Sequence, residues 1–412
     1  MKYYFLNFLD LGNKNTHIKI KSRAEVNIKK SSDDFVTHTK NWTYKNISIN
    51  GKKILNLNEL VNREIVDGEI IAGKTKFQIR EKVLINPSSA VEDINKTKGN
   101  WENWWKKIRK KSDVDLYDRL WVKSERKLKG EPLFIKKDFK DKIVLDVGCG
   151  NGRYIPLCQE FGAKEIIAID LGKQVFDVKN QDINMNNVHL LQSDLLNIPL
   201  RKEIVDTIYS HGVLHHTPNP KESFRYLSNY LKIGGTQAIY VYHKEWWHFS
   251  AHKKSYFLDF AYDFGVFVWQ SIRKIVSRLP HMLIISFCYV LALKGTFEQS
   301  LMKSKFKINR IIGKLFFMIP PICYLGVNFH ERIVRNYDHY SATFNYFHTI
   351  DEVVEWYKEA GFDNLIIASI PVSIRGKKVR KPSNKINITQ HKFISHFEFR
   401  KEWEKMYGKR QR

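Results

Sequence analysis

An acid and three glycines occupy alternate positions in one short stretch of the chain: Asp146, Gly148, Gly150 and Gly152. Glycines at this spacing permit a tight turn and let a ligand approach the backbone closely. A second acid, Asp170, follows about 20 residues after the turn, a distance at which a carboxylate accepts hydrogen bonds from both ribose hydroxyls of a nucleoside. The spacing therefore indicates a nucleoside-binding site.

The segments around this turn have the pattern of a strand, a helix and a second strand. The apolar runs Ile143–Leu145 and Ile166–Ile169 are suited to buried strands, and Tyr154–Phe161 between them favours a helix. In this arrangement the helix N-terminus points at the ligand, and Asp170 stands at the end of the second strand. A dinucleotide site would favour the spacing Gly-x-Gly-x-x-Gly, which this turn does not have.

The turn resembles motif I of the class I S-adenosylmethionine (SAM) methyltransferases, and the segments after it strengthen the resemblance. The later strands expected from apolar runs are Val188–Gln192, Val205–Ser210 and Thr236–Tyr242. The third strand leads to Asp194, and the fourth leads to the sequence HGVLHHTPNP at His211–Pro220. That sequence is similar to the VLHH motif of methyltransferases related to the ubiquinone and menaquinone pathway enzymes. The resemblance runs continuously over residues 142–242.

The resemblance implies SAM as the cofactor and assigns its site. The residues expected around the methionine and sulfonium end are Asp146, Gly148, Gly150 and Gly152. The residues expected at the ribose and the adenine are Asp170 and Asp194, and their neighbours Leu171 and Leu195 complete the cofactor set. Those expected beside the transferring methyl group are Ser210, His211 and Gly212.

Methyl transfer is an in-line displacement at carbon, to which a protein contributes mainly proximity, alignment and exclusion of water. A protonated acceptor also needs a base, a role that histidine fills at neutral pH. The catalytic candidates are His215, His216, His339, Tyr340 and His348. The histidine doublet occurs with many acceptors in the family, so a structural or cofactor-lining role is its alternative. The other three belong to the segment Asn336–Thr349, which would contact the acceptor as a loop folded back across the cleft.

No metal site is predicted from the sequence. The four cysteines form no Cys-x-x-Cys pair, so neither a zinc site nor a disulfide framework is indicated, and a reducing cytosol fits.

The N-terminal stretch has an early Asp10 and only a short apolar run, which is not typical of a signal peptide. We expect a cytoplasmic protein, with peripheral association at the inner face of the membrane as the alternative.

The chain of 412 residues has 69 Lys and Arg against 43 Asp and Glu, a formal net charge of +26. This excess favours an anionic partner: a phosphate-bearing substrate, an acidic membrane surface or nucleic acid. A generally basic composition without a specific partner is the alternative. Tryptophans lie beside basic residues from Trp101 to Lys111, which suits a lid over the cofactor, base stacking or a membrane interface.

The predicted fold is α/β: a Rossmann-like class I methyltransferase core with a mostly parallel seven-stranded sheet, a small N-terminal β-rich module and an α-helical cap insertion. The predicted domains are the β-rich module at 1–98, a lead-in helical segment at 99–139, the SAM-binding core at 140–243, an apolar helical cap at 244–335, the core completion at 336–372 and a basic, solvated C-terminal extension at 373–412. The run Glu64–Ser89 faintly resembles a zinc-ribbon module without its cysteines, which would then serve packing or docking. An unrelated small β domain is the alternative.

The insertion contains three apolar stretches: Tyr256–Ile272, Met282–Leu293 and Ile311–Val327. Each is too short or too interrupted to cross a bilayer comfortably, and each suits a helix that lies in the interface or packs over the core. A simple cap, a cap that also docks on a membrane or takes a lipid-linked acceptor, and a membrane anchor remain open. A dimerisation surface is compatible with any of them.

The predicted function is transfer of a methyl group from SAM to a small-molecule, lipid-linked or saccharide acceptor, and the apolar insertion favours a bulky one. One alternative is a nucleic-acid methyltransferase. Against it, methyltransferases that act on the amino groups of nucleic-acid bases usually have an Asn/Asp-Pro-Pro-aromatic motif. This chain has Ser210–Val213 at the equivalent place. The other alternative is a non-catalytic SAM-fold binding protein, against which the intact turn with Asp170 and Asp194 weighs.

Overall fold

The computed structural model describes residues 1–13, 15–27, 43–60, 62–86, 98–99, 102, 133–180, 183–244, 267–318, 328–369, 372–380 and 386–391. The chain divides into two compact units. The first comprises Met1–Ala90, Asp118–Trp246 and Phe347–Arg412, and the second comprises Val91–Tyr117 and Trp247–Tyr346. The predicted lid tryptophans, from Trp101 to Trp121, lie outside the described residues, as does most of the first apolar stretch of the insertion.

All the named strands of the described residues lie in the first unit and form one 14-stranded sheet. They are β1 (Ile18–Asn27), β2 (Ile47–Ile49), β3 (Lys52–Lys53), β4 (Arg63–Ala72), β5 (Thr75–Arg80), β6 (Val83–Ile85), β7 (Ile143–Val147), β8 (Glu165–Asp170), β9 (Val188–Gln192), β10 (Val205–His211), β11 (Leu231–Tyr240), β12 (Phe362–Ile367), β13 (Ser373–Lys378) and β14 (Ile388–Gln390). The α-helices of this unit are α1 (Ile155–Glu160), α2 (Pro220–Ser228) and α7 (Ile350–Glu359), and those of the second unit are α3 (267–276), α4 (His281–Met302), α5 (Lys307–Met318) and α6 (Phe329–Ser341). Short 3-10 turns occur at Tyr3–Phe8, Leu57–Leu60, Lys136–Asp138, Lys173–Asn180, Met185–Asn187 and Leu214–His216.

Seven of these strands form the core, in the order β9-β8-β7-β10-β11-β13-β12. β13 runs antiparallel to both of its neighbours, and the other six strands are parallel to one another. The strand order reverses between β7 and β10, and ligands of open α/β sheets bind outside the carboxyl ends of the strands at such a point. The predicted Rossmann-like, mostly parallel core is confirmed.

The core elements form where the apolar pattern and the helix signals agree. Every residue of β7 and of β9 is buried, as expected for parallel strands covered on both faces. At the start of α2 the Asn219 side chain accepts a hydrogen bond from the Glu222 amide at 3.2 Å. At the start of α7 the Thr349 hydroxyl accepts one from the Glu352 amide at 3.2 Å, which is the predicted N-cap.

The prediction of a solvated extension from residue 373 onward is wrong for β13, which is an internal strand of the core. Arg375 is only 4% exposed: its guanidinium lies 3.9 Å from the Asp138 carboxylate and donates to the Leu133 carbonyl at 3.3 Å. Lys378 donates to the carbonyls of Ser228 and Leu231 at 2.8 and 3.0 Å. Arg375 and Lys378 have buried partners while Lys377 is exposed, so the high density of charge did not mean that the whole strand is exposed.

Residues 1–86 extend the core sheet in the first unit. β6 pairs in parallel with β9, and β5, β4 and β1 follow in antiparallel pairs, with β2 and β3 at the far edge. The buried Lys2 ammonium donates to the carbonyls of Met185 and Val188, both at 2.9 Å. The Phe5 ring stacks on the buried His189 ring, with centroids 4.3 Å apart. A distinct N-terminal module was predicted for this region. Instead, strand β6 and the first residues of the chain pack directly on β9.

The second unit is helical, and α4 packs against both α5 and α6. α6 includes residues 336–341, which the sequence analysis assigned to a loop at the start of the core completion. The Asn328 side chain caps α6 by accepting from the Glu331 amide at 2.8 Å. Inside the unit, the Arg273 guanidinium donates to the Ala342 carbonyl at 2.7 Å.

Among the described residues, α4 is the one helix that is long and apolar enough to cross a membrane by length and composition. It has 22 residues, and 33% of its most apolar stretch is buried within the protein. The predicted apolar stretch ended at Leu293, but the helix continues through Lys294 and Glu298, which form an ion pair four residues apart. Pairing of these two charges lets the helix continue past the end of the apolar run.

Candidate cofactor and methyl-transfer site

The turn between β7 and α1 is fixed by steric limits at its glycines. Gly148, Gly150 and Gly152 have φ values of 76°, 58° and 84°, which favour glycine. A Cβ on Gly148 would lie 2.2 Å from a methyl carbon of Val213. A Cβ on Gly152 would lie 2.9 Å from a methyl carbon of Val178. Any side chain at either position would displace a neighbouring residue, so close packing requires glycine at both.

Asp170 at the end of β8 holds this turn. One carboxylate oxygen accepts from the Gly150 amide at 2.9 Å. The other accepts from the Gly172 amide at 2.9 Å and from the Gln174 side-chain amide at 2.5 Å. The predicted ribose acceptor is therefore also the residue that orders the glycine turn. Its neighbour Leu171 is half-buried and accepts from the Gln192 side chain through its carbonyl at 3.2 Å.

Asp146 lies at the end of β7 and is 2% exposed. The Tyr209 hydroxyl hydrogen-bonds to its carboxylate, while its Oδ2 is buried without a hydrogen-bond partner. Burial raises the pKa of Asp146 to about 7, against the opposing effects of the Tyr209 hydrogen bond and the Arg153 cation. A buried carboxylate oxygen with unused hydrogen-bonding capacity fits a cationic ligand with N–H donors, such as the methionine end of SAM.

Asp194, the predicted adenine acceptor, follows β9 in a half-buried loop. Its carboxylate accepts from the Leu196 amide at 2.9 Å. Asn86, at the end of β6, holds this loop by donating to the Ser193 hydroxyl at 3.2 Å and to the Asn197 carbonyl at 2.5 Å. Asn86 was not predicted from the sequence, because it belongs to no motif and lies more than 100 positions away from Ser193. The half-buried Leu195 completes the predicted set.

The residues predicted beside the methyl group lie at the end of β10. The Ser210 hydroxyl is buried and donates to the Val147 carbonyl at 3.3 Å. His211 Nδ1 lies 3.1 Å from the Tyr154 hydroxyl, and its ring stacks on Tyr240 with centroids 4.8 Å apart. Gly212 has φ 76°, and no atom lies within 4 Å of the position its Cβ would take. His211 is thus buried and oriented by Tyr154 and Tyr240, and open space borders the next residue, Gly212.

His215 and His216 lie in the 3-10 turn that follows β10, and both are buried. The His215 ring stacks on Tyr242 at a centroid distance of 3.8 Å and an interplanar angle of 26°. His216 meets the same tyrosine edge-on at 5.5 Å. The histidine doublet therefore forms an aromatic cluster with Tyr242, which extends the His211–Tyr240 stack along the carboxyl ends of β10 and β11.

The remaining three candidates are in two different places. His348 is buried in the first unit: Nδ1 lies 2.8 Å from the Glu352 carboxylate, its ring packs on Trp356 at 4.7 Å, and its amide donates to the Tyr242 carbonyl at 2.8 Å. His339 and Tyr340 lie on α6 of the second unit. The prediction of a loop that carries all three across the cleft is wrong, because residues 336–341 are helical.

The thiols do not add a nucleophile to this site. Cys149 lies within the glycine turn and Cys158 lies on α1, and both are buried and free. Burial raises the pKa of both thiols well above the usual range, since the buried environment disfavours the thiolate. Within the described part of the chain, no group of three or more His, Cys, Asp or Glu side chains is arranged to hold a metal ion.

Residues 145–239 match the family model described as a methyltransferase domain. The chain is 35% identical over 103 residues to a tRNA U34 carboxymethyltransferase of Ruthia magnifica subsp. Calyptogena magnifica, a match that covers 24% of this chain and 32% of the relative. It is 33% identical over 100 residues to the protein of the same name from Cellvibrio japonicus, covering 23% and 31%. The chain thus spans about a third of the length of these curated relatives.

Among solved structures, a SAM-dependent methyltransferase from Mesorhizobium loti is 21% identical, with a TM-score of 0.25, and the match covers 27% of this chain and 50% of that one. The family match coincides with the strands and turns that carry the predicted cofactor residues. Together with the strand order, it establishes a class I SAM-dependent methyltransferase domain in the first unit.

Proposed function

We propose that this chain transfers the methyl group of SAM to an acceptor that enters at the carboxyl ends of β10 and β11. The observation that carries the proposal is the pair of carboxylates at the switch point: Asp146, buried with an unused oxygen, and Asp170, which holds the Gly150 amide. One suits the cationic methionine end of SAM, and the other suits its ribose. Bound SAM supplies an activated methyl group, so the protein mainly orients the reactants and excludes water.

His211 is the base that we propose for an acceptor that loses a proton. Its Nδ1 lies 3.1 Å from the Tyr154 hydroxyl, and Nε2 is the nitrogen that we propose to receive the acceptor proton. An imidazole exchanges a proton near neutral pH, which suits this step. His215 and His216 are packed against Tyr242, so we assign them to the wall of the site.

For the acceptor we propose a small molecule with an apolar part, such as a lipid-linked compound. The exposed apolar helices of the second unit support this class, because they offer a surface on which such a molecule can partition. A tRNA acceptor is the second candidate, supported by the printed name of the relatives and by the net charge of +26. The relatives' match covers only about a quarter of this chain, so it bears on the cofactor domain more than on acceptor recognition.

The test is transfer of labelled methyl from SAM by the purified full chain into a lysate of its own host, followed by fractionation. Asp170→Asn, assayed at a SAM concentration well below saturation, serves as the matched control, because the amide keeps the size of the side chain and loses the charge that supports SAM binding. Label that enters the organic phase with wild type and not with the variant supports the lipid-linked acceptor. Label that enters tRNA would instead support tRNA as the acceptor. Absence of transfer into every fraction would contradict the proposed activity in that host.

A further inference from the structure

α4 has two apolar faces, and only one of them is used inside the second unit. The buried face consists of Ile284, Cys288, Leu291, Ala292, Gly295 and Glu298. The opposite face is exposed and consists of Met282, Tyr289, Val290, Leu293 and Phe297. Soluble proteins rarely leave a continuous apolar surface of this extent open to water. The second face of α4 therefore needs an explanation outside the packing of the unit.

α5 continues this exposed surface. The two helices approach closely at Gly313, where a Cβ would lie 2.9 Å from the Leu301 Cβ. The Phe297 and Phe316 rings meet across the two helices with centroids 6.1 Å apart. The exposed apolar residues on α5 and the turn before it are Phe306, Ile308, Ile311, Ile312, Leu315 and Phe316. We refer to these residues and the exposed set of α4 as the apolar face.

A basic segment, residues 303–310, runs from the end of α4 through the connecting turn into the first turn of α5, at one end of the apolar face. Lys303, Lys305, Lys307 and Arg310 are all exposed. Phe306 and Ile308 alternate with them and are 72% and 61% exposed. The sequence from Gln299 to His330 contains no Asp or Glu. Cations interleaved with exposed apolar side chains match the headgroup level of an anionic bilayer, where both kinds of group gain free energy.

We propose that the apolar face and the basic segment dock the second unit on an anionic membrane surface. The lysines contact lipid phosphates, and α4 and α5 lie in the plane of the interface with their exposed side chains at the acyl boundary. The surface is mostly aliphatic, whereas single-stranded nucleic acid is bound on aromatic platforms on which bases stack. A second copy of this chain fits less well, because lysines are depleted at protein interfaces and two basic segments would repel.

The opposite face of α4 favours docking in the plane over crossing. On the buried side, Arg332 of α6 hydrogen-bonds the Gln299 side chain, and at the margin of the two faces it donates to the exposed Thr296 hydroxyl at 2.6 Å. Glu298 is fully buried and pairs with Lys294. This face is occupied by apolar packing and by polar contacts within the unit, so the other face is the one available to lipid. α4 is apolar on both faces and leaves one of them open to lipid, whereas α5, with its exposed apolar row and cationic first turn, has the amphipathic character of an interfacial helix.

The experiment is co-sedimentation of the full chain with vesicles of phosphatidylcholine alone and with about a third phosphatidylglycerol. We expect binding to the anionic vesicles that is at least about tenfold tighter than to the neutral ones and that weakens at high salt. The triple variant Lys303→Glu/Lys305→Glu/Lys307→Glu should lose about a hundredfold in affinity. Its matched control, Lys52→Glu/Lys53→Glu, changes exposed lysines of β3 and should bind as wild type.

A second pair of variants tests the apolar face. Val290→Ser/Leu293→Ser should weaken binding to anionic vesicles about tenfold, since two exposed apolar side chains no longer enter the lipid. Leu55→Ser, which changes an apolar residue of the first unit that is 89% exposed, should have no effect. Circular dichroism and the thermal midpoint establish that each variant is folded. These readouts do not involve methyl transfer, so the outcome is independent of the proposed function.

Several outcomes would overturn the docking proposal. Equal binding of the lysine variant and its control, or equal binding to neutral and anionic vesicles, would remove the role of the basic segment. Retention after alkaline extraction would show that α4 crosses the bilayer. Self-association or RNA binding that depends on the same residues, without vesicle binding, would assign the surface to a second copy or to nucleic acid.

Discussion

The glycine turn of the first unit and the apolar face of the second unit are built in opposite ways. In the turn, a few buried residues are fixed by short contacts: Gly148 has no room for a side chain beside Val213, and Asp170 holds the Gly150 amide. On the apolar face, many exposed side chains lie side by side, with contacts between helices such as that of Phe297 with Phe316. Single substitutions should therefore have large effects at the turn and small, additive effects on the face.

The largest expected effect is at Gly148. Gly148→Ala should lower SAM affinity by about a thousandfold or more, because the new methyl group overlaps Val213 and the residue has a positive φ. Gly234→Ala is the matched control, since Gly234 has φ 82° and no atom within 4 Å of the Cβ position. Isothermal titration of both variants with SAM measures the difference. Similar losses in the two would mean that backbone strain alone, and not the closeness of the turn, limits binding.

The next largest effect is expected at His211. His211→Gln should slow methyl transfer to the identified acceptor by about a hundredfold or more, because the acceptor proton loses its base. His348→Gln is the comparison, since His348 is engaged by Glu352 and Trp356, and its loss should lower the thermal midpoint with little change in rate. Single-turnover rates at saturating SAM separate the two. A rate unchanged in His211→Gln would eliminate it as the base.

A smaller effect is expected from the titration of Asp146. Its pKa of about 7 means that the free protein carries this proton at acidic pH, while a bound cation favours the ionised form. SAM affinity should therefore rise as the pH increases, by about tenfold from about pH 6 to about pH 8. Asp146→Asn should bind SAM more weakly and should lose the part of this pH dependence that Asp146 causes. An identical pH profile in wild type and variant would contradict the assignment.

The smallest effect is expected from a single residue of the basic segment. Lys305→Gln should weaken binding to anionic vesicles by only about fivefold, since each lysine near the surface contributes about 1 kcal/mol. Vesicle titration at two salt concentrations checks this value. A hundredfold loss from this one change would show that the segment forms a specific headgroup site. It would contradict the expectation that single substitutions have small effects on this surface and large effects at the glycine turn.

The two regions also differ in how far the sequence predicts them. The core strands and the turn were predictable because apolar runs mark buried parallel strands and because positive φ values require glycine. Asn86 was not predictable, since it supports the Asp194 loop through contacts between distant parts of the chain. β13 was hidden by its basic residues, whose partners Asp138 and Ser228 are also distant in sequence.

The helical insertion illustrates the other limit of sequence reasoning. The pattern identified an apolar region with basic flanks but did not show that the helix continues through Lys294 and Glu298, because their pairing depends on the helical geometry. It also did not show that residues 336–341 complete α6, since their tyrosines and histidines have low helix propensity. Tertiary packing within the second unit decides both features.

The most direct test of the cofactor site is equilibrium binding of labelled SAM to the full chain and to Asp170→Asn. We predict one SAM bound per chain and an affinity at least about tenfold lower in the variant, which loses the charge that holds the turn and accepts from the ribose. Asp67→Asn is the control, because Asp67 also accepts from a backbone amide, that of Glu81 at 3.1 Å. Absence of SAM binding to wild type, or equal affinities in wild type and Asp170→Asn, would contradict the account.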